Sequence, residues 1–213
     1  QQNRLDSLPY LGQTPPDTIP EKFGPNFISS TSAYEYSICF SQDGKEIYFS
    51  RNTPNVSNTI WWTKYENSAW TTPETAPFTG SYYNSEPFIT YDNQKMYFVS
   101  ARDTSTNFQL YFMSRSGSNW TTPQKLGTPF PLDRIKMFPT LATNGNIYFT
   151  QFSPAMKGDF YMARNFGGVF QTPEILSTTI NAFYSQGHAF IAPDESYIVF
   201  DVIPTQQSTG SVI

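Results

Sequence analysis

The sequence predicts an all-β fold, specifically a β-propeller built from four-stranded antiparallel blades. Two observations predict it: a Tyr-Phe run and a Trp-Thr-Thr-Pro-like marker each recur about every 50 residues along the 213-residue chain. In addition, no segment has the sustained apolar period of an amphipathic helix. A repeat of this length, made of several short strands, is the sequence signature of a propeller.

The two markers keep the same order and spacing. Each Tyr-Phe-like run follows a tight turn such as Asp43-Gly44 or Asn144-Gly145, which is a strong signal for a β-hairpin. The runs are Ile47–Ser50, Met96–Val99, Ile147–Thr150 and Ile198–Asp201. The second marker begins at Trp70, Trp120 and Phe170. Because both markers advance together, we interpret them as parts of one repeated unit.

Each unit is interpreted as four short strands, A to D. Strand A precedes the turn, at Ile38–Phe40, Phe88–Thr90, Thr140–Ala142 and Ala189–Ile191. Strand B is the Tyr-Phe run, and strand D begins at the second marker. Strand C lies between them, at Ile60–Thr63, Leu110–Met113 and Phe160–Ala163. A single four-stranded sheet cannot bury both of its apolar faces, whereas blades stacked around an axis can.

The repeats divide the chain into an N-terminal extension, residues 1–19, and a propeller domain, residues 20–213. The repeats cover about 34–80, 81–131, 132–181 and 182–213, and the last is incomplete because it stops after strand B. We expect Pro20–Phe23 to form a strand that closes the last blade. Either the ring has four blades or further blades follow, as in a six-bladed ring, and we favour the second. An open sandwich or a solenoid is the alternative architecture.

One repeat carries a family resemblance. Phe40–Ser50, with the sequence FSQDGKEIYFS, resembles the core of TolB-type, WD-like propeller repeats, and Ala192–Phe200 is a second copy with Glu195 in place of the glycine. The resemblance covers roughly residues 11–213 and implies an exported bacterial protein of the periplasm or outer membrane that binds other proteins. Some propellers with similar repeats are polysaccharide lyases or sugar-binding modules, but none of their catalytic motifs matches here.

Charge and composition argue against several classes of function. The net charge is -4, from 13 basic and 17 acidic residues, and the absence of a Lys/Arg cluster argues against nucleic acid and anionic membrane surfaces as partners. The longest apolar stretch is broken by Asp201 and is much shorter than the ~20 residues of a membrane-spanning helix. With one cysteine, Cys39, and one histidine, His188, we expect no metal site and no cofactor.

Binding residues are expected on one face of the propeller. Strand direction alternates, so the long B–C loops and D–A connections share one face, and each D–A connection carries an aromatic residue. Long loops on a rigid scaffold commonly carry binding residues. Aligned on their turns, the residues that begin the innermost strands are Ser37, Glu86, Phe138 and His188. The candidate binding residues are Tyr34, Tyr36, Tyr82, Tyr83, Glu86, Phe183, Tyr184 and His188.

The leading hypothesis is a non-catalytic, exported propeller that binds a protein partner in a bacterial envelope complex, for example in secretion or transport. The alternative is a carbohydrate-binding or polysaccharide-degrading propeller, in which Glu35 and Glu86 would supply the two carboxylates that glycoside hydrolysis needs. A purely structural spacer, whose aromatic residues only pack in the channel mouth, is a third interpretation.

Overall fold

The structure is a computed structural model that describes residues 11, 13–53, 56–103 and 107–203. Within these ranges all regular secondary structure is β, every pair of strands is antiparallel, and no helix is long and apolar enough to span a membrane. The all-β, antiparallel class predicted from the sequence is therefore confirmed.

Four successive units, which we call blades 1 to 4, contain the strands. Blade 1 comprises β1 (Tyr34–Phe40), β2 (Glu46–Thr53), β3 (Val56–Glu66), β4 (Ala69–Trp70) and β5 (Glu74–Thr75). Blade 2 comprises β6 (Asn84–Ile89), β7 (Lys95–Ser100), β8 (Gln109–Ser116), β9 (Asn119–Trp120) and β10 (Gln124–Lys125). Blade 3 comprises β11 (Lys136–Leu141), β12 (Ile147–Phe152), β13 (Gly158–Ala163), β14 (Asn165–Phe166), β15 (Val169–Phe170) and β16 (Glu174–Ile175). Blade 4 comprises β17 (Ser185–Ile191) and β18 (Ile198–Ile203).

The strand order within each blade follows the predicted A–B–C–D path. In blade 1 the order is β1-β2-β3, with β4 and β5 both on the outer side of β3, and blade 2 repeats this arrangement. In blade 3 the order is β11-β12-β13-β16, and β14 and β15 pair with each other as a separate two-stranded sheet. The inner strands of successive blades are neighbours around an axis, in the order β1, β6, β11 and β17. The described strands therefore form three blades and the inner hairpin of a fourth.

Strand D differs from its prediction because it is split into two short pieces. In blade 1, β4 pairs with the end of β3, and β5 pairs with its middle, while Thr71-Thr72-Pro73 separates the two pieces. Proline has no N–H to give to a β-ladder. Next to the break, Thr71 bonds to Lys64 of β3 twice: its amide donates to the Lys64 carbonyl at 2.9 Å, and its Oγ1 accepts from the Lys64 amide at 3.2 Å. The same Thr-Thr-Pro sequence interrupts blade 2.

Apolar side chains of adjacent blades share common cores. Tyr48 and Ile60 of blade 1 pack with Met96 and Phe98 of blade 2, all at most 1% exposed. A second core joins blades 2 and 3 and includes Leu110 of blade 2, Phe149 and Ala163 of blade 3, and Phe130 of the segment between them. A smaller core, which includes Ile191, joins blades 3 and 4. Each blade thus buries a sheet face that it could not bury alone, as the repeat requires.

The prediction of a strand at Pro20–Phe23 is wrong. These residues form no strand, and within the described ranges they pair with no part of blade 4. Phe23 packs instead edge-on against Phe40 of blade 1, with ring centroids 5.8 Å apart. Residues 204–213, which follow strand B of the fourth repeat, lie outside the described residues.

Candidate functional site

The start of every inner strand contains the same irregularity. The register of β1 against β2 jumps between Tyr36 and Cys39, so that two residues stand opposite one in a β-bulge. The three other inner strands have the same jump against their partners. The first residues of the four bulges are Ser37, Glu86, Phe138 and His188, the positions that the sequence repeats aligned.

These four bulge residues have an unfavourable backbone conformation. Their φ angles lie between 47° and 59°, in the left-handed region that residues other than glycine seldom occupy. Such outliers persist only where the surrounding structure enforces them, and they concentrate at functional sites. Their fourfold repetition at one level of the axis marks this level as the candidate site.

A cavity opens at the bulges, and all four blades contribute to it. Its volume is about 410 Å³. We call it the axial cavity. The residues that line it are Tyr34, Tyr36, Ser37, Ile38, Cys39, Glu86, Pro87, Phe88, Phe138, Pro139, Thr140, His188, Ala189, Phe190 and Asp201. Four of the candidate binding residues are therefore brought together here: Tyr34, Tyr36, Glu86 and His188.

Glu86 is the buried carboxyl group of the axial cavity, and only 5% of the residue is exposed. Its backbone amide donates to Ser50 Oγ of blade 1 at 2.8 Å. Its Oε2 accepts a hydrogen bond from the Phe138 amide of blade 3 at 2.6 Å. Burial raises the pKa of Glu86 to about 8, although the Phe138 amide lowers it. The carboxyl group is therefore mostly protonated at neutral pH.

His188 forms a second polar contact in the lining of the axial cavity. Its Nδ1 lies 2.9 Å from Asp201 Oδ2, and its ring packs against Phe138 with centroids 4.1 Å apart. The His188 side chain is 52% exposed. Asp201 reaches it because it stands opposite Gly187 in the β17–β18 register. A Cβ on Gly187 would lie 3.0 Å from Phe138 Cε2, so glycine permits this close packing.

A cluster of hydroxyl and amide groups joins blades 1 and 2 beside Glu86. The Asn58 side-chain amide donates to Tyr36 Oη at 2.8 Å and to Tyr83 Oη at 3.2 Å, and the two hydroxyl groups are 3.4 Å apart. Burial, followed by the hydrogen bond and charge of Tyr83, raises the pKa of Tyr36 far above its ordinary value. Tyr83 thus has a packing role as well, since its ring also meets Phe108 edge-on at 4.6 Å.

The remaining aromatic candidates differ in exposure. Tyr34 is 70% exposed and stacks on Tyr36 with centroids 5.6 Å apart. Tyr82 and Phe183 are also exposed, but they lie outside the cavity lining. Tyr184 is half-buried, and its hydroxyl donates to the Ala155 carbonyl at 3.4 Å. The binding roles of the eight candidates stay predictions.

Glu35 is not available as the second carboxylate of a hydrolytic pair. Arg51 Nε donates to Glu35 Oε1 at 2.9 Å, and the Ser30 amide donates to Oε2 at 3.2 Å. The same guanidinium group also donates to the Ile28 carbonyl and lies over the Trp61 ring. Glu35 and Arg51 therefore form a structural ion pair within blade 1.

Sequence reasoning missed two residues of the site. Asp201 lies within strand B of blade 4, and a strand alignment that allowed for the bulge would have placed it beside His188. Asn58 lies in β3, at the end of the B–C connection, and nothing in its local sequence indicates that it contacts Tyr83 of the next repeat. Within the described ranges, no three His, Cys, Asp or Glu side chains are grouped as metal ligands would be.

Comparison with solved structures identifies the architecture. No family profile and no curated protein matches this sequence. The structure of TolB from Acinetobacter baumannii superposes with a TM-score of 0.56 and 13% identity, over 84% of this chain and 40% of that chain. A putative TolB from Agrobacterium tumefaciens superposes with a TM-score of 0.56 and 16% identity, over 84% of this chain and 58% of that one. The fold is therefore that of a TolB-like β-propeller, and the chain spans less than two thirds of either structure.

Proposed function

We propose that this chain is a protein-binding propeller of the bacterial cell envelope, which holds a segment of a partner protein at the axial cavity and the tyrosines beside it. The observation that carries the proposal is the convergence of four strained inner-strand bulges on one open cavity, next to the 70% exposed Tyr34. Exposed aromatic residues around a rigid recess are typical of binding hot spots. The TolB-like fold and the sequence resemblance support export to the periplasm or the outer membrane.

We further propose that the chain binds without catalysis. A retaining or inverting glycosidase uses two carboxyl groups across the scissile bond. Here Glu35 is held by Arg51, and Glu86 is buried and hydrogen-bonded to the Phe138 amide. Because Glu35 is engaged by Arg51, the pair of carboxyl groups that the sequence predicted is incomplete. A role within secretion or transport machinery is the specific form of this proposal, because it needs a scaffold rather than an enzyme.

The test compares tyrosines on opposite faces of the propeller. Tyr34→Ala and Tyr82→Ala are expected to weaken binding of the partner, once it is identified by co-purification from native envelope, by about 30-fold for a hot-spot residue. Tyr197→Ala is the matched control, because Tyr197 is 57% exposed and precedes β18 at the opposite end of blade 4. Equal effects at the two faces, or a protein that stays monomeric at native expression, would count against the proposal.

Glycan binding is the second candidate function, and a specific observation favours it. The Tyr34 and Tyr36 rings are stacked at an interplanar angle of 29°, which leaves an exposed aromatic face at the cavity mouth. Ligand sites commonly combine such aromatic walls with a few fixed polar groups. A polysaccharide panel, assayed for binding and for release of reducing ends, separates the two functions. Activity that is lost in Glu86→Gln would favour an enzyme instead.

A further inference from the structure

We propose that the axial cavity binds one cationic side chain of the partner, a lysine ammonium or an arginine guanidinium group. This inference rests on the proposed protein-binding function and specifies what the bound segment presents.

The charge of the cavity lining is one-sided. Among the described residues that line it, none is a lysine or an arginine, whereas Glu86 and Asp201 are carboxylic acids. The only basic group on the described lining is His188, and Asp201 contacts it at 2.9 Å. Other carboxylates of the blades have cationic partners, such as Glu35 with Arg51 and Glu46 with Arg115. Glu86 differs from them, because its hydrogen-bond donor is the uncharged Phe138 amide.

A buried carboxyl group without a cation is unfavourable in its ionised form. Desolvation disfavours the charge, and a nearby positive group restores it. In this structure burial alone keeps the pKa of Glu86 near 8. A cation that entered the cavity would therefore form the charge pair that the chain itself does not supply.

Aromatic rings line the same cavity. Tyr34 and Tyr36 lie on the blade 1 side, Phe138 on the blade 3 side and Phe190 on the blade 4 side. The faces of such rings attract ammonium and guanidinium groups, and the attraction is stronger where water is excluded. Phe88 of blade 2 also lines the cavity, so aromatic rings from all four blades and carboxyl groups from two, on β6 and β18, favour the same kind of ligand.

The size and rigidity of the cavity fit a side chain rather than a folded domain. Its volume of about 410 Å³ is near the lower end of the range for ligand pockets. The bulges are fixed by contacts between blades, including Glu86 N to Ser50 Oγ and Phe138 N to Glu86 Oε2. A cavity that is already formed loses little entropy when it binds a ligand.

The experiment uses small probes on the full chain. Nα-acetyl-lysine methylamide and its arginine counterpart are titrated by NMR, with the Nε-acetyl-lysine and citrulline compounds as neutral counterparts of similar shape. We expect the cationic probes to bind about tenfold more tightly than the neutral ones. Glu86→Gln should remove most of that preference. Glu74→Gln, in the exposed strand β5, should leave it unchanged.

The outcomes separate this inference from the proposed function. Cationic probes that do not bind, or that bind no better than their neutral counterparts, overturn the inference even if the Glu86 variant fails to fold, because that comparison uses the unmodified chain. If the partner still depends on Tyr34 but tolerates loss of its own lysines and arginines at the contact, the protein-binding function stands and the cationic ligand is wrong.

Discussion

The backbone amide of Phe138 in blade 3 donates a 2.6 Å hydrogen bond to Glu86 Oε2 in blade 2. Both residues are the first residues of β-bulges, and both have φ angles of 59°. The bond therefore links two strained positions of adjacent inner strands. Because Glu86 N also donates to Ser50 Oγ, one residue ties together three blades at the level of the axial cavity.

This arrangement predicts that Glu86 makes stability depend on pH. Its folded-state pKa of about 8 lies above its ordinary value of 4.5, so between these values the folded protein holds a proton that the unfolded chain releases. The free energy of unfolding should then fall as pH rises from about 5 to 8, by at most about 1.4 kcal/mol per pH unit from this group. Urea denaturation of the unmodified chain and of Glu86→Gln at several pH values measures the difference.

In Glu86→Gln this contribution to the pH slope should be missing, because glutamine is neutral throughout and still accepts from the Phe138 amide. Glu74→Gln is the control and should retain the slope. The other titratable groups that line the cavity are Tyr34, Tyr36, Cys39, His188 and Asp201. These groups are present in the unmodified chain and in Glu86→Gln alike, so the difference between the pH slopes of these two proteins reports Glu86. Identical slopes would show that the buried carboxyl group is ionised in the folded state.

The bulge conformation predicts that glycine is favourable at Ser37. An L-residue in the left-handed region costs about 1–2 kcal/mol, and glycine avoids this at an entropic cost of about 0.5–1 kcal/mol. Ser37→Gly, at a φ of 49°, should therefore raise the free energy of unfolding by about 0.5–1 kcal/mol. Ser114→Gly, in the extended strand β8, should lower it by a similar amount. A loss of stability in both variants would contradict the strained bulge.

The sequence was sufficient to predict the repeat, the strand order and the equivalence of the four bulge residues, because turns and apolar runs are local signals. It could not reveal the contacts between repeats. Glu86 meets the Phe138 amide across 52 residues of sequence, and Asn58 meets Tyr83 across 25. Which tyrosines are exposed was also only partly predictable. Tyr36 and Tyr83 occur in the same aromatic D–A connections as Tyr34, but they are half-buried.

Close packing between blades 3 and 4 predicts that Gly158 does not tolerate a side chain. A Cβ there would lie 2.8 Å from both Ser185 Oγ and Thr150 Cγ2. Gly158→Ala should therefore cost about 1–3 kcal/mol of unfolding free energy, as overpacked sites do. In hydrogen exchange, the β17 amides should lose protection first, because the Gly158 amide donates to Ser185 Oγ of that strand.

Gly127 provides the matched control for that substitution. A Cβ at Gly127 would meet no heavy atom within 4 Å, and its φ is not in the left-handed region. Gly127→Ala should be neutral or stabilising by about 0.4–1 kcal/mol, through the reduced entropy of the unfolded chain. If both alanine variants had the same midpoint of unfolding, the tight junction between blades 3 and 4 would be refuted.

The junction of blades 1 and 2 predicts a measurable coupling between two aromatic side chains. Trp120 Nε1 donates to Tyr48 Oη at 2.9 Å, and Tyr48 is only 1% exposed. Trp120→Phe and Tyr48→Phe each remove one partner, so a double-mutant cycle should give a coupling energy of about 0.5–1.5 kcal/mol.

Trp70 is the repeat equivalent of Trp120, but its Nε1 has no hydrogen-bond partner among the described residues. The Trp70 ring packs on Tyr65 of its own blade, so the cycle of Trp70→Phe with Tyr48→Phe should give a coupling near zero. Equal couplings in the two cycles would contradict a specific interaction between Trp120 and Tyr48.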